Sequence, residues 1–276
     1  MLPHFFRHYD PIVDRYFVFD DGSDDGTLEM LQAHPKVVVR PFERRHPASL
    51  IRSQTIAQNS FWKHSRGLAD WVLITDVDEH QVRAGGASIR RYLRHCRNAR
   101  VTLLPSLGFN ILAEIDLRPD IDLHTAVHLV QAEPDMNKLG FFDPNAIAET
   151  NFADGRHDAH PTGRVLLPPR DEMALLHFKH LGPTRTFERQ RREGQRLLET
   201  DHQRGIGTHW LADEERYLAV WRERLARAVE LQPVLRAPAR HGQEPRWWSD
   251  LARAAGRSPL QRLRLAAARA WGAWQR

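Results

Sequence analysis

Two apolar runs within the first eighty residues each end in a cluster of carboxylates, and that placement constrains the fold more than any other feature of the chain. The first reads Arg15-Tyr-Phe-Val-Phe-Asp-Asp-Gly-Ser-Asp-Asp-Gly-Thr27, the second Trp71-Val-Leu-Ile-Thr-Asp-Val-Asp-Glu79. Short apolar runs bounded by Gly and Asp are strand signals. Open α/β sheets bind ligands outside the carboxyl ends of their strands, so two acidic clusters at two such ends are expected to converge on one crevice.

Around these runs, strand and helix patterns alternate. Residues 2–14 suggest a short helix broken near Pro11, 16–19 a buried strand, 27–34 a helix and 37–39 a β-branched strand. A helix over 48–66, a strand over 71–75 and a helix over 87–98 follow, the last after the Gly85-Gly86 break. This succession predicts an α/β fold with a mostly parallel sheet flanked by helices. Residues 101–167 mix short apolar runs with Pro, Asp and Gly and are assigned to an acceptor side, and 173–181 resumes a strand pattern. Residues 187–202 and 213–231 read as charged helices, and Pro233, Pro238 and Pro245 mark a linker. The expected organisation is a catalytic domain over 1–182 and a helical C-terminal extension over 183–276.

At 276 residues the chain is long enough for one large domain, or one domain with an appendage. A net charge of +5 favours phosphate-bearing ligands, nucleic acid or an anionic membrane face without choosing among them. The basic run 185–196 is interleaved with Glu and reads as a solvated helix face, so no nucleic-acid partner is expected. Over 259–276, Leu260, Leu263, Trp271 and Trp274 share one helical face with Arg on the others, a candidate contact with the inner face of the membrane. No stretch reaches transmembrane length and the opening residues lack the apolar run of a signal peptide, so a cytoplasmic location is expected. Cys96 is the only cysteine, which excludes an intramolecular disulfide and a cysteine-based zinc cluster. Any metal must therefore take oxygen and imidazole ligands, and Mg²⁺ or Mn²⁺ are the natural candidates.

In an extended strand the carboxylates of Asp76 and Asp78 fall on the same side and can share one cation. A divalent ion held there neutralises a diphosphate and makes it a better leaving group. A calcium loop is excluded, because Gln81 and Ala87 occupy the positions where that loop requires Gly and Glu. A phosphohydrolase of the haloacid-dehalogenase kind, with Asp76 as nucleophile, stays open as an alternative, although His80 sits where that pattern prefers Thr or Val. The loop over 20–27 reads as a Gly-assisted strand-to-helix turn with an Asp or Ser cap, and it lacks the G-x-x-x-x-G-K-S/T arrangement of a P-loop.

The run Phe17-Val-Phe-Asp-Asp-Gly-Ser-Asp-Asp-Gly-Thr27, preceded by His8-Tyr-Asp-Pro-Ile-Val-Asp14 and followed some fifty residues on by Ile74-Thr-Asp-Val-Asp-Glu79, resembles the family 2 glycosyltransferases of the GT-A fold. The resemblance covers roughly the first 190 residues. It implies that Asp20, Asp21 and Ser23 line a nucleoside pocket, with Asp21 contacting the base or ribose. It implies also that Asp76 and Asp78 hold the diphosphate of a nucleotide-sugar donor through Mn²⁺ or Mg²⁺, with Glu79 in support. Gly155-Arg-His-Asp158 and Leu175-Leu-His-Phe-Lys-His180 are similar to a later turn and strand of the same subgroup, so either His157 or His177 completes the metal shell. Asp154, His157 and Asp158 are the candidate catalytic residues, with Glu149 in the same region, while Lys138 and Arg164 are candidate phosphate contacts. The implied activity is metal-dependent, inverting transfer of a sugar to a hydroxyl of a glycan or glycolipid. A catalytically inactive sugar-binding relative is a further alternative.

The family begins with a strand and an Asn-Glu loop ahead of the helix that Leu2 starts here, and that strand is missing. Its absence implies an unpaired gap or a rearranged sheet beside the first acidic cluster. A start inside a longer product and decay from an active ancestor both explain it, and the two intact acidic motifs favour the first.

Overall fold

A computed structural model describes residues 1–205 and 213–256. The amphipathic tail expected over 259–276 lies outside the described residues. The chain opens with α1 (Leu2–Tyr9), β1 (Tyr16–Asp20), α2 (Thr27–Ala33) and β2 (Val37–Pro41). Strands β1 and β2 pair in parallel from Tyr16↔Val37 to Asp20↔Pro41, the expected β-α-β unit. Gly26 caps α2 from the left-handed region at φ 80°, a conformation an L side chain rarely adopts. The apolar face of α1, with Phe5, Phe6 and Tyr9, packs on Tyr16 and Leu31.

Next come α3 (Leu50–Ser60), β3 (Val72–Leu73), β4 (Glu79–Arg83), α4 (Ile89–Asn98), β5 (Leu103–Ala113), α5 (Leu123–Ala126), β6 (Leu129–Ala132) and β7 (Lys138–Phe142). They are followed by β8 (Ile147–Glu149), β9 (Thr162–Gly163), β10 (Met173–Leu181), α6 (Pro183–Gln195), α7 (Glu199–Gln203), α8 (Glu214–Ala226), β11 (Val229–Glu230), α9 (Leu231–Arg236) and α10 (Ser249–Gly256). No described helix is long and apolar enough to cross a membrane.

The fold is α/β, but the main sheet is mixed, which corrects the mostly parallel expectation. Its seven strands run β11-β6-β5-β10-β4, with β7 also on β5 and β3 on β7. Within it β5 and β10 are parallel, whereas β10–β4, β5–β6, β5–β7, β3–β7 and β11–β6 are antiparallel. The reason lies in 103–142, where β6 and β7 both return to β5 in the opposite direction, with no helix longer than the four-residue α5 between them.

Strand β5 is the centre of the molecule. Leu103, Leu107, Phe109 and Ile111 sit in the largest core cluster with Leu176 and Phe178 of β10, and Trp248 joins them from the C-terminal residues. Gly108 is required there, because a Cβ would lie 2.3 Å from the backbone carbon of Met136. The C-terminal residues 229–251 return to this sheet, with β11 on β6 and Leu231, Val234 and Trp248 in its core.

The β1–β2 pair stands apart from the seven-stranded sheet. Among the described residues β1 bonds only β2 and β3 bonds only β7, so each presents an unpaired edge. A cleft of about 2900 Å³ is lined by both, from Tyr16 to Asp21 on one side and from Trp71 to Glu79 on the other.

Candidate active site

The two acidic segments meet in this cleft, whose lining also takes in Asp154, His157, His177 and Arg189. They reach it in different states.

At the end of β1, Asp20 folds back on its own loop. Its Oδ2 accepts from the backbone N–H groups of Gly22 and Ser23 at 3.0 and 3.1 Å, and its Oδ1 accepts from the Ser23 hydroxyl at 2.5 Å. The Ser23 hydroxyl and these amides hold its carboxyl below the usual range. Asp20 and Ser23 thus shape the turn. Asp21 instead turns to Arg44, which donates at 3.2 and 2.8 Å, and to Arg196, which donates at 2.5 Å. Burial works against the Asp21 carboxylate, and the two guanidinium groups outweigh it, so its pKa is lowered.

The second segment departs from the extended geometry expected of it. Strand β3 ends at Leu73, and the chain then turns, with the Glu79 N–H donating to Asp76 O at 3.1 Å. That turn separates the carboxylates. The Asp76 side chain is 59% exposed and meets Arg156 Nη2 at 3.1 Å, whereas Asp78 is 2% exposed and meets Arg189 Nη1 at 2.7 Å. The same Asp78 oxygen lies 3.5 Å from His177 Nε2. Burial raises the Asp78 carboxyl, but His177 and Arg189 together hold it well below the carboxylate range.

Glu79 begins β4 fully buried between Lys138 Nζ at 2.6 Å and Arg156 Nη2 at 2.6 Å. Arg156 also donates to Ile74 O at 2.7 Å, and Tyr9 Oη donates to Glu79 O at 2.8 Å. This network fixes the turn carrying Asp76 and Asp78. Burial opposes the Glu79 charge, and Arg156 and Lys138 overcome it and keep the group ionised.

His177 is oriented from behind. Asn110 Nδ2 donates to Glu133 Oε2 at 3.2 Å, which aims the Asn110 carbonyl oxygen at His177 Nδ1, 2.9 Å away. Nδ1 therefore carries a proton, and Nε2 is the ring nitrogen that faces Asp78. A divalent ion lying against both atoms would draw them from 3.5 Å to about 3 Å, the separation of adjacent ligands on an octahedral ion. The pair fits Mg²⁺ or Mn²⁺, which bind through one or two protein groups and take the remaining ligands from phosphate and water.

Neither histidine expected from sequence to complete the metal shell forms a close group with both Asp76 and Asp78. Among the described residues Asp76, Asp78, His157 and His177 form no group of three with ligand atoms in close mutual reach. His157 is held away by the Asp135 carbonyl, 2.5 Å from its Nδ1, and burial followed by the Lys138 charge lowers its pKa. Asp154 lines the cleft, accepting from Thr55 Oγ1 at 2.9 Å and Arg204 at 2.8 Å. Asp158 does not line it, and its carboxylate caps the Ala159 N–H at 2.7 Å. Glu149 pairs with Lys63, Arg164 lies near Asp143, and neither lines the cleft, whereas Lys138 does.

Arg156 and Arg189 were not foreseen. The contacts of Arg156 with Asp76 and of Arg189 with Asp78 span 80 and 111 residues, distances at which no local pattern is visible. No protein-family model matches this chain, and no curated protein matches it significantly.

Proposed function

We propose that the cleft binds a nucleotide-diphosphate sugar with Mn²⁺ or Mg²⁺ and transfers the sugar, with inversion, to a hydroxyl of a glycan or glycolipid, on a GT-A-like scaffold. The observation that carries this reading is the convergence of Asp21, at the end of β1, and the Asp78–His177 pair on one cleft.

In this reading Asp21 contacts the nucleoside, exchanging Arg44 or Arg196 for it, while Asp20 and Ser23 keep the turn in shape. Asp78 and His177 are the protein ligands of the ion, and Asp76 keeps an exposed carboxylate on the lining of the same cleft. When bound, the ion neutralises charge developing on the departing diphosphate. Lys138, Arg189 and Arg196 line the same cleft and add positive potential for phosphate oxygens. His157 is the best-placed base of the three candidates: it lines the cleft and its lowered pKa keeps the imidazole neutral and able to accept a proton. Asp154 is a positioning group tied to Thr55 and Arg204.

The phosphohydrolase reading loses ground on one point. An aspartyl nucleophile needs a general acid for the leaving group, and the second carboxylate of the segment, Asp78, is kept ionised by His177 and Arg189. The test is a screen of nucleotide-sugar donors for release of nucleoside diphosphate with MnCl₂ present. Release from at least one donor, reduced by about a hundredfold or more in Asp78→Asn, supports the reading; undiminished release in that variant, or release from none, overturns it.

A further inference from the structure

A second group of side chains lies outside the cleft, where the elements around the sheet meet. His8 of α1, His80 of β4 and His124 of α5 each place one ring nitrogen within 4.8 Å of the other two. His80 Nδ1 and His124 Nε2 are 3.0 Å apart, close to the separation of two nitrogens on one tetrahedral ion. The rings lie nearly parallel, His8 over His80 at 4.5 Å and His124 within 24° of His80.

Their hydrogen bonds do not close. His8 Nε2 donates to Gln81 O at 2.8 Å, and His80 and His124 share one contact between them. Three neutral imidazoles bring three N–H groups and three lone pairs. That leaves two lone pairs without a protein donor among the described residues. A cation is the ligand that suits imidazole nitrogens gathered this closely.

We propose that His8, His80 and His124 form a binding site for a borderline transition-metal ion, with Zn²⁺ as the type case, that ties α1 to the sheet and to α5. Imidazole nitrogens suit Zn²⁺, Ni²⁺ or Cu²⁺, and a set without a carboxylate suits Mg²⁺ and Mn²⁺ poorly, so this site and the cleft select different ions. Burial lowers the pKa of all three rings, with His8 pushed down to about 4, so they are in the ligand form at neutral pH. Phe178 and Tyr9 flank His80 with ring centroids at 4.7 and 5.9 Å, an apolar surround that strengthens the ion's hold on its ligands. The fourth position is left to water.

The experiment titrates ZnCl₂ into tag-free protein previously dialysed against EDTA, with Co²⁺ as a second probe read by the visible absorption of a four-coordinate ion. His124→Asn alters the most peripheral ring, and His80→Phe replaces the buried ring with one that packs on Phe178. Circular dichroism confirms that each variant folds, and His124→Asn keeps the test decisive if His80→Phe does not. The expected result is one Zn²⁺ per chain, affinity reduced tenfold or more in each folded variant, and a melting temperature that rises with ZnCl₂ in the parent alone. Absence of stoichiometric binding in the parent, or undiminished binding in a folded variant, overturns the site. Asp78→Asn should leave Zn²⁺ binding intact, which separates this outcome from the fate of the cleft.

Discussion

Arg189 Nη1 lies 2.7 Å from Asp78 Oδ2, so a helix 111 residues away in sequence supplies the counter-charge for the buried carboxylate of the cleft. The same oxygen faces His177, so a divalent ion and the guanidinium compete for one partner. Arg189→Met should cost about 2 kcal/mol of stability by urea unfolding in EDTA, toward the low side for an ion pair because Arg189 is partly exposed. In the same variant Mn²⁺ alone should bind more tightly than to the parent. Unchanged or weaker Mn²⁺ binding would count against that competition.

Arg156 is the second such residue, 1% exposed and bound to Asp76, Glu79 and Ile74 O. Removing it leaves Glu79 with Lys138 as its remaining cation, and Arg156→Met should destabilise by about 3–5 kcal/mol in urea titration. Arg156→Lys should recover less than half of that, because an ammonium cannot span two carboxylates and a carbonyl. A loss below about 1 kcal/mol in Arg156→Met would show that the network does not hold the turn.

Burial, then the charge of Arg224, followed by His177, Lys179 and Arg189, holds His180 well below its usual range. The folded protein keeps it neutral, while the unfolded chain takes up a proton as pH falls through about 6.5. Its contribution to stability is therefore complete above about pH 6.5 and is lost toward lower pH, at up to about 1.4 kcal/mol per pH unit. Urea midpoints from pH 7.5 to 5 should fall less steeply in His180→Phe than in the parent. Parallel curves would refute the assignment.

Cys96 is buried on α4, and desolvation pushes its thiol up to about 12. It should react with a disulfide reagent at pH 8 only after denaturation, because the thiolate is the reacting form. Stoichiometric labelling of the native protein within minutes would contradict this burial.

The sequence made some parts of the molecule legible and hid others for a physical reason. α1, β1, α2, β2 and β10 are read from contiguous apolar patterns, and the structure places them close to the expected spans. β5 is interrupted by Pro105, Ser106, Gly108 and Asn110, and looked like irregular chain. Those residues are tolerated in a buried strand because their needs are met from afar. Ser106 donates to Gln81, the Gly108 N–H to Asn137 Oδ1, and Asn110 links His177 to Glu133. The acidic residues of the site were legible as motifs, but the turn that separates Asp76 from Asp78 depends on Glu79, Lys138 and Arg156, whose contacts are long-range.

The most direct test of the account is equilibrium binding of UDP, GDP, CDP and ADP to the protein by calorimetry, with 1 mM MnCl₂ or with EDTA, in the parent and in Asp78→Asn. The account predicts that at least one nucleotide binds the parent tenfold or more tightly with Mn²⁺, about 1.4 kcal/mol or more, and that Asp78→Asn abolishes this difference. Binding that is equally tight in EDTA, or a Mn²⁺ effect that survives in Asp78→Asn, would contradict it.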